Sequence, residues 1–200
     1  AASPTGGNVV QLADSGARLL FTTASHLHTA EDACAGMDGP PRIVMIAGAA
    51  PGLTSLDEPR TDTKALPPCP AVQGDPAVIL YTSGTTGRSK GAMITHDNLS
   101  SNAITLTDYW GFSSSDALLH ALPIFHVHGL FVACHCALLS GSRMLWLAKF
   151  DAGEVRARLP RATVMMGVPT FYTRLLALPE FGAADCRSVR LFVSGSAPLL

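Results

Sequence analysis

Charge is scarce in this sequence, and neither sign dominates. Charged residues make up 14% of its 200 positions, and 14 Lys+Arg stand against 15 Asp+Glu for a formal net charge of -1. Nonspecific binding of nucleic acid draws on a basic field; without one, a small-molecule partner is the starting expectation. Long apolar runs are also missing. The most apolar stretch, Leu130 to Leu139, is interrupted by His135 and falls well short of the roughly 20 residues that span a bilayer, so it reads as a buried helix. Cysteines are few and unpatterned: Cys34, Cys69, Cys134, Cys136 and Cys186 show none of the repeated spacing of a zinc site or disulfide framework. That points to a reducing cytosol and a cytoplasmic location. At the start, Ala1-Ala2-Ser3-Pro4 offers neither an initiator Met nor a charged segment leading into an apolar signal core. The last residues read as a loop with more chain to follow. The expectation is a piece of a longer protein, cut at both ends.

What is present is apolar and ordered in kind. Hydrophobic residues reach 48% and the mean hydropathy is +0.28, enough to bury a large core in one or two globular units. Short β-rich runs alternate with helical patterns. Ala17 to Thr22, a helix after Ser25, and Arg42 to Ala47 predict a βαβ unit, taken as a partial subdomain over residues 1–60. Prolines, glycines and small polar residues dominate from Ala49 to Pro76, so residues 61–76 read as a connection.

A second series follows over 77–200: strand Ala77 to Tyr81, a Gly/Thr loop to Gly91, strand Ala92 to Ile94, and a helix from His96 to Tyr109. Then come strand Ala117 to Ala121, a helix from Val127 to Leu139 ended by Gly141, and strand Ser142 to Leu147. Helix Ala152 to Leu159, strand Ala162 to Val168, helix Pro169 to Leu178 and strand Val189 to Val193 complete it. This alternation predicts an α/β fold, with largely parallel sheets covered by helices and ligands near the carboxyl ends of the strands.

One segment carries chemistry by composition and order together: Tyr81-Thr82-Ser83-Gly84-Thr85-Thr86-Gly87-Arg88-Ser89-Lys90-Gly91. It follows an apolar strand directly. Its glycines let backbone N–H groups converge on an anion, its threonines and serines add hydroxyl donors, and Lys90 adds positive charge; the loop suits a phosphate. It does not fit G-x-x-x-x-G-K-[ST], because Gly91 follows Lys90 and the glycine spacing differs. Composition alone also allows a flexible linker. Elsewhere, His126 and His128 could be read as a metal pair, but H-x-H supplies too few ligands by itself, and buried structural histidines are the commoner case. In Cys134-His135-Cys136, consecutive helix residues diverge by about 100°, which favours packing over ligation.

The loop resembles the phosphate-binding signature of the acyl-adenylate-forming superfamily, which includes acyl-CoA synthetases, peptide-synthetase adenylation domains and firefly luciferase. Three further blocks are similar to that family. Leu122-Pro123-Ile124-Phe125-His126-Val127-His128-Gly129-Leu130 resembles the segment that carries an aromatic or His residue beside the acyl group and α-phosphate, which implies His126 as an active-site wall. Met166-Gly167-Val168-Pro169-Thr170-Phe171-Tyr172-Thr173-Arg174 resembles the corner that bears the acyl pocket and CoA channel. Val193-Ser194-Gly195-Ser196-Ala197-Pro198 resembles the loop beside adenine and acyl group, implying Gly195, Ala197 and Pro198 there.

The combination looks like the malonyl-CoA synthetase branch, where an Arg at the corner and the second Ser of S-G-S-A contact malonate; on that resemblance Arg174 and Ser196 bind substrate. Read without it, Arg174 is a solvated helix arginine and Ser196 a turn serine. The resemblance implies part of a large amino-terminal domain using ATP, Mg2+ and coenzyme A with a small carboxylic acid, and no nucleic acid or membrane span. Thr82, Ser83, Gly84, Thr85, Thr86 and Gly87 would hold the β- and γ-phosphates, with Lys90 supporting charge balance. The principal adenylation lysine and the acidic Mg-binding and ribose-binding motifs lie, in that family, in sequence beyond Leu200. A ligase for another short or aromatic acid, a nucleotide-binding module without catalysis, and a poorly folding fragment stay open.

Overall fold

The computed structural model describes residues 4–57, 67–82 and 90–198. Two compact units divide the chain, Ala1–His96 and Asp97–Leu200.

In the first unit, helix α1 (Pro4–Ser15) precedes strand β1 (Leu19–Thr23), a 3-10 turn (Ala24–His26), helix α2 (Leu27–Cys34) and strand β2 (Arg42–Ala47). The expected βαβ unit is there, with β1 and β2 parallel and Leu20 opposite Ile43. Ala30 and Ala33 of α2 are buried, as are Val44 and Met45 of β2. A two-residue strand, β3 (Thr54–Ser55), adds to β2 in parallel. It falls in the stretch rich in proline, glycine and small polar residues from Ala49 to Pro76, and it is too short to show any periodicity. Polar contacts fix it: Ser55 Oγ donates to the Gly48 carbonyl at 2.8 Å, and Gly48 N–H donates to Asp57 Oδ2 at 2.6 Å.

Strands β4 (Pro76–Thr82) and β5 (Lys90–Thr95) form an antiparallel pair. The alternation of strands and helices gave no sign of this, since a reversal through a Gly/Thr loop leaves the same pattern as a strand feeding a crossover. Gly91 is required here: a Cβ would lie 2.7 Å from Ile79 Cγ2 and 3.2 Å from the Tyr81 ring. The Tyr81 hydroxyl donates to Asp14 Oδ2 at 2.7 Å, tying β4 to α1.

The second unit opens with helix α3 (His96–Tyr109) and builds a four-stranded parallel sheet from β6 (Ala117–His120), β7 (Arg143–Trp146), β8 (Val164–Gly167) and β9 (Leu191–Ser194), in the order β7-β6-β8-β9. After β6 the chain enters a π-helical segment (His128–Cys134) that continues as helix α4 (His135–Ser140), so the expected helix is present with its first two turns widened. Gly141 ends it in the left-handed conformation with φ 69°, where glycine carries no Cβ penalty. Helix α5 (Ala152–Arg158) is capped by Asp151, whose side chain accepts from Glu154 N–H at 3.0 Å. Helix α6 (Pro169–Leu176) starts with proline in its first turn, where a missing N–H leaves nothing unsatisfied.

Alternation along the central strands sorts the core into two layers. Leu118, Val164 and Met166 face one way and join Ala133, Cys136 and Ala137 of the π/α4 helix, with Leu106 of α3 and Trp110 just past its end packed against them. Leu119 and Met165 face the other way, onto Val155 of α5 and Leu175 of α6. All five strand residues are 0–1% exposed, and each contributes about 1.5–3 kcal/mol by leaving water. The expected fold of parallel sheet covered by helices is borne out.

The amino ends of these strands are pinned by one buried carboxylate. Asp116 receives Arg190 through Nε at 2.9 Å and Nη2 at 2.8 Å, Thr163 Oγ1 at 2.6 Å and Ser113 N–H at 2.9 Å. Arg190 also donates to the carbonyls of Trp110 and Gly111. The Arg190 hydrogen bonds hold the Asp116 carboxyl well below the usual carboxylate range, against the opposing effect of burial.

Candidate active site

The carboxyl ends of β6, β8 and β9 each release the chain into one of the sequence blocks singled out above. Beyond β6 comes Leu122 to Leu130, beyond β8 the corner Val168-Pro169, and beyond β9 Gly195 to Pro198. The three blocks meet around a cavity of 530 Å³ lined by Leu122, Pro123, His126, Val127, His128, Gly129, Val168, Phe171 and Ser196. Strand order explains the meeting: β6 and β9 flank β8, so the loops leaving three parallel neighbours share one rim. A larger cavity, 660 Å³, lies in the first unit between Leu12 and Pro40; it holds none of the motif residues, so it does not draw the assignment.

Local packing sets the walls. Gly129 sits against the preceding loop so tightly that a Cβ would lie 2.3 Å from the Pro123 carbonyl oxygen. His126 N–H donates to that same carbonyl at 3.3 Å. His126 is exposed at the rim, its ring centroid 4.6 Å from that of Phe125. His128 turns inward: its Nδ1 is within hydrogen-bond distance of Ser196 Oγ, at 3.1 Å, and burial lowers its pKa. Gly195 lies on the ring of His128, where a Cβ would be 3.1 Å from Cε1, and donates its N–H to the Gly167 carbonyl at 3.1 Å. Ser196 adopts φ 67°, a left-handed conformation uncommon outside glycine.

Below the rim, His120 ends β6 and is 1% exposed. Its Nε2 lies 3.1 Å from Cys134 Sγ, its ring meets Trp146 edge-on at 4.4 Å, and its Nδ1 has no hydrogen-bond partner among the described residues. Burial first, and the neighbouring His128 second, push its pKa down to about 4, so it is neutral at neutral pH. Cys134 and Cys136 are buried in the helix, in accord with packing.

The other expected site residues fall out as follows. Arg174, exposed on α6, places its guanidinium 4.9 Å from the centroid of Phe150; Phe150 stacks on Phe171 at 3.9 Å, and Phe171 lines the cavity. Arg174 itself is one aromatic layer away from the cavity wall. Ala197 and Pro198 are exposed beyond Ser196. Thr82 and Lys90 face each other across the β4/β5 pair as its last residues, while Ser83, Gly84, Thr85, Thr86 and Gly87 lie outside the described residues. Among the described residues no group of three or more His, Cys, Asp and Glu could hold a metal ion. In the sequence, His128 reads as a metal partner or a buried structural histidine, and Val168 and Phe171 are not marked as individuals. For His128 the signal was its place two residues past His126 at a helix start, opposite a loop rich in small residues.

The sequence matches the AMP-binding enzyme family over residues 3–200. The chain belongs to that family. Among its relatives, feruloyl-CoA synthase of an Amycolatopsis species is 35% identical over 190 residues, covering 94% of this chain and 36% of the relative. Malonate–CoA ligase of Arabidopsis thaliana is 39% identical over 145 residues, covering 62% of this chain and 24% of the relative. The crystal structure of ATP-bound MatB from Rhodopseudomonas palustris aligns with a TM-score of 0.83 at 40% identity, over 100% of this chain and 39% of that one. The chain thus spans 24% to 36% of the curated relatives' length. Membership of the AMP-binding enzymes accounts for the four sequence blocks and the parallel sheet together.

Proposed function

We propose that the protein carrying this chain joins a small carboxylic acid to coenzyme A at the expense of ATP, and that malonate is the acid. The observation that carries the ligase reading is the meeting of three family blocks around one cavity at the carboxyl ends of β6, β8 and β9. A carboxylate oxygen of the acid attacks the α-phosphorus of Mg-ATP, and the bond to the β-phosphate breaks to release pyrophosphate. The CoA sulfur then attacks the acyl carbon, AMP leaves, and the thiol proton is released. Thr82, Ser83, Gly84, Thr85, Thr86, Gly87 and Lys90 receive the phosphates in this scheme, stabilising the departing charge by preorganised donors. His126 and Ser196 line the acid cavity, and Gly195, Ala197 and Pro198 border the adenylate. Mg2+ enters with the nucleotide.

Malonate is supported by the likeness to malonate–CoA ligase; Arg174 is the cation offered by the resemblance, and its guanidinium would have to leave the face of Phe150 to reach the cavity. A buried second carboxylate needs a cation, and a guanidinium can meet it with two parallel hydrogen bonds. A second reading, an aromatic acid, draws on the likeness to feruloyl-CoA synthase and on the apolar lining from Leu122, Val127, Val168 and Phe171. Pyrophosphate release by the full-length protein, with ATP, CoA and either malonate, methylmalonate, acetate, propionate or ferulate, separates them. Malonate at the highest kcat/KM is the expected result; preference for ferulate transfers the assignment to the aromatic reading, and ATP binding without pyrophosphate release from any acid leaves only a nucleotide-binding module.

A further inference from the structure

We propose that the imidazole of His128 is a movable partition that limits the length of the acid, and that Ser196 is its latch. The proposal rests on the acid-binding reading of the cavity. Next to the 530 Å³ cavity lies a second, of 360 Å³, walled by Leu106, Trp110, Val132, Val193, Ser194 and Gly195. His128, Val127 and Ser196 line both. His128 is the one ring among these three, and its imidazole is part of the wall common to the two spaces.

The ring is held in that position from one side. Ser196 Oγ is 3.1 Å from Nδ1, and Gly195 lets the loop approach to where a Cβ would be 3.1 Å from Cε1. Ser196 is also the one non-glycine residue with positive φ among the described residues. Such a conformation persists only when its surroundings impose it, and here it aims the hydroxyl at the imidazole. The ring leaves water on packing there, which favours its neutral form and lets it serve as a wall to an apolar space. Leu106, Val132, Val193 and the Trp110 ring make most of the space behind it apolar, Ser194 adds a hydroxyl, and no Lys or Arg lines it. An acid that entered it would place a hydrocarbon or aromatic tail there, with no Lys or Arg to pair a second carboxylate.

The test uses the full-length protein as wild type, His128→Ala, His128→Phe and Ser196→Ala, with propionate, hexanoate and 3-phenylpropionate in a pyrophosphate-release assay. His128→Ala is expected to shift the hexanoate-to-propionate ratio of kcat/KM by about tenfold or more, since each methylene admitted to an apolar pocket is worth about 10-fold or above. His128→Phe keeps a ring without the latch, as Ser196→Ala does from the other side of the same contact; both should move the ratio in the same direction as His128→Ala, by less. A change by one common factor on all acids would show the ring to be ordinary packing and overturn the proposal.

A second measurement separates this failure from failure of the ligase reading. Trp110 lines the second space, so tryptophan fluorescence should respond to 3-phenylpropionate in His128→Ala, not with His128 intact, and the response should vanish when Trp110→Phe is added to His128→Ala. No response in either protein overturns the partition even if turnover is robust. A response confined to His128→Ala upholds it even if no acid is activated.

Discussion

Acidification should loosen the second unit before its carboxylates titrate, and His120 is the reason. Its ordinary pKa of 6.5 falls to about 4 in the fold, because burial opposes the charged ring and His128 adds a like charge. The folded value lies below the unfolded one, so the unfolded chain takes up the proton first as pH drops. Stability from keeping this ring neutral is therefore complete above about pH 6.5 and is lost as pH falls through about 4. A displacement of that size corresponds to ~3 kcal/mol, a sizeable part of the 5–15 kcal/mol typical of a domain. The full-length protein and His120→Gln would be unfolded in urea at pH 7, 5.5 and 4.5, with near-ultraviolet circular dichroism and fluorescence of Trp146, which touches His120 at 4.4 Å, as reporters. Wild type should lose more stability than the variant between pH 7 and 4.5, the difference approaching ~3 kcal/mol as pH nears 4. Every other histidine is common to both proteins and cancels. Parallel pH profiles would refute the argument, showing that His120 accepts its proton in place, through water reaching Nδ1.

Three further outcomes are expected. Asp116→Ala removes the acceptor for Arg190, Thr163 and Ser113; it should cost about 3–5 kcal/mol in urea unfolding, and the loss contributed by wild-type Asp116 should come only below about pH 4, where an unfolded aspartate protonates. Gly129→Ala drives a Cβ into the Pro123 carbonyl and should lower stability by about 1–3 kcal/mol while raising KM for the acid, read by melting and by pyrophosphate release. Arg174→Leu gives up only an exposed contact with Phe150, worth about 0.5–1 kcal/mol. It should therefore leave the melting temperature nearly unchanged yet depress kcat/KM for malonate far more than for propionate; equal losses on both acids would remove Arg174 from the specificity argument.

The second unit was legible in the sequence because its signals were long and local. Helix His96–Tyr109 falls where its polar entry placed it, Gly141 stops the helix expected to stop there, and the core strands show as short apolar runs. The first unit was less so. α1 is rich in glycine and small polar residues early on, β3 has two residues, and β4 and β5 pair with each other as a two-stranded sheet with no short turn signal between them. Within the site, the motifs marked His126 and Ser196. The link from Ser196 to His128 spans 68 positions, and nothing in either local pattern announces it. The widened helical turn at His128–Cys134 was equally hidden, because a π segment and an α segment share their apolar composition.

The Asp116–Arg190 clamp has a consequence for how such a fold can change over generations. It fastens the strands at their amino rim, through the turn before β6, Thr163 before β8 and Arg190 before β9. The cavity loops hang from the opposite rim and share no residue with it. Substitutions that reshape the acid cavity can therefore accumulate with little effect on the bolted end, because distant sites without common partners act almost independently. One scaffold can in this way carry cavities of unlike selectivity within the family, and a loop exchanged between two members should carry its selectivity along while the sheet beneath stays as it was.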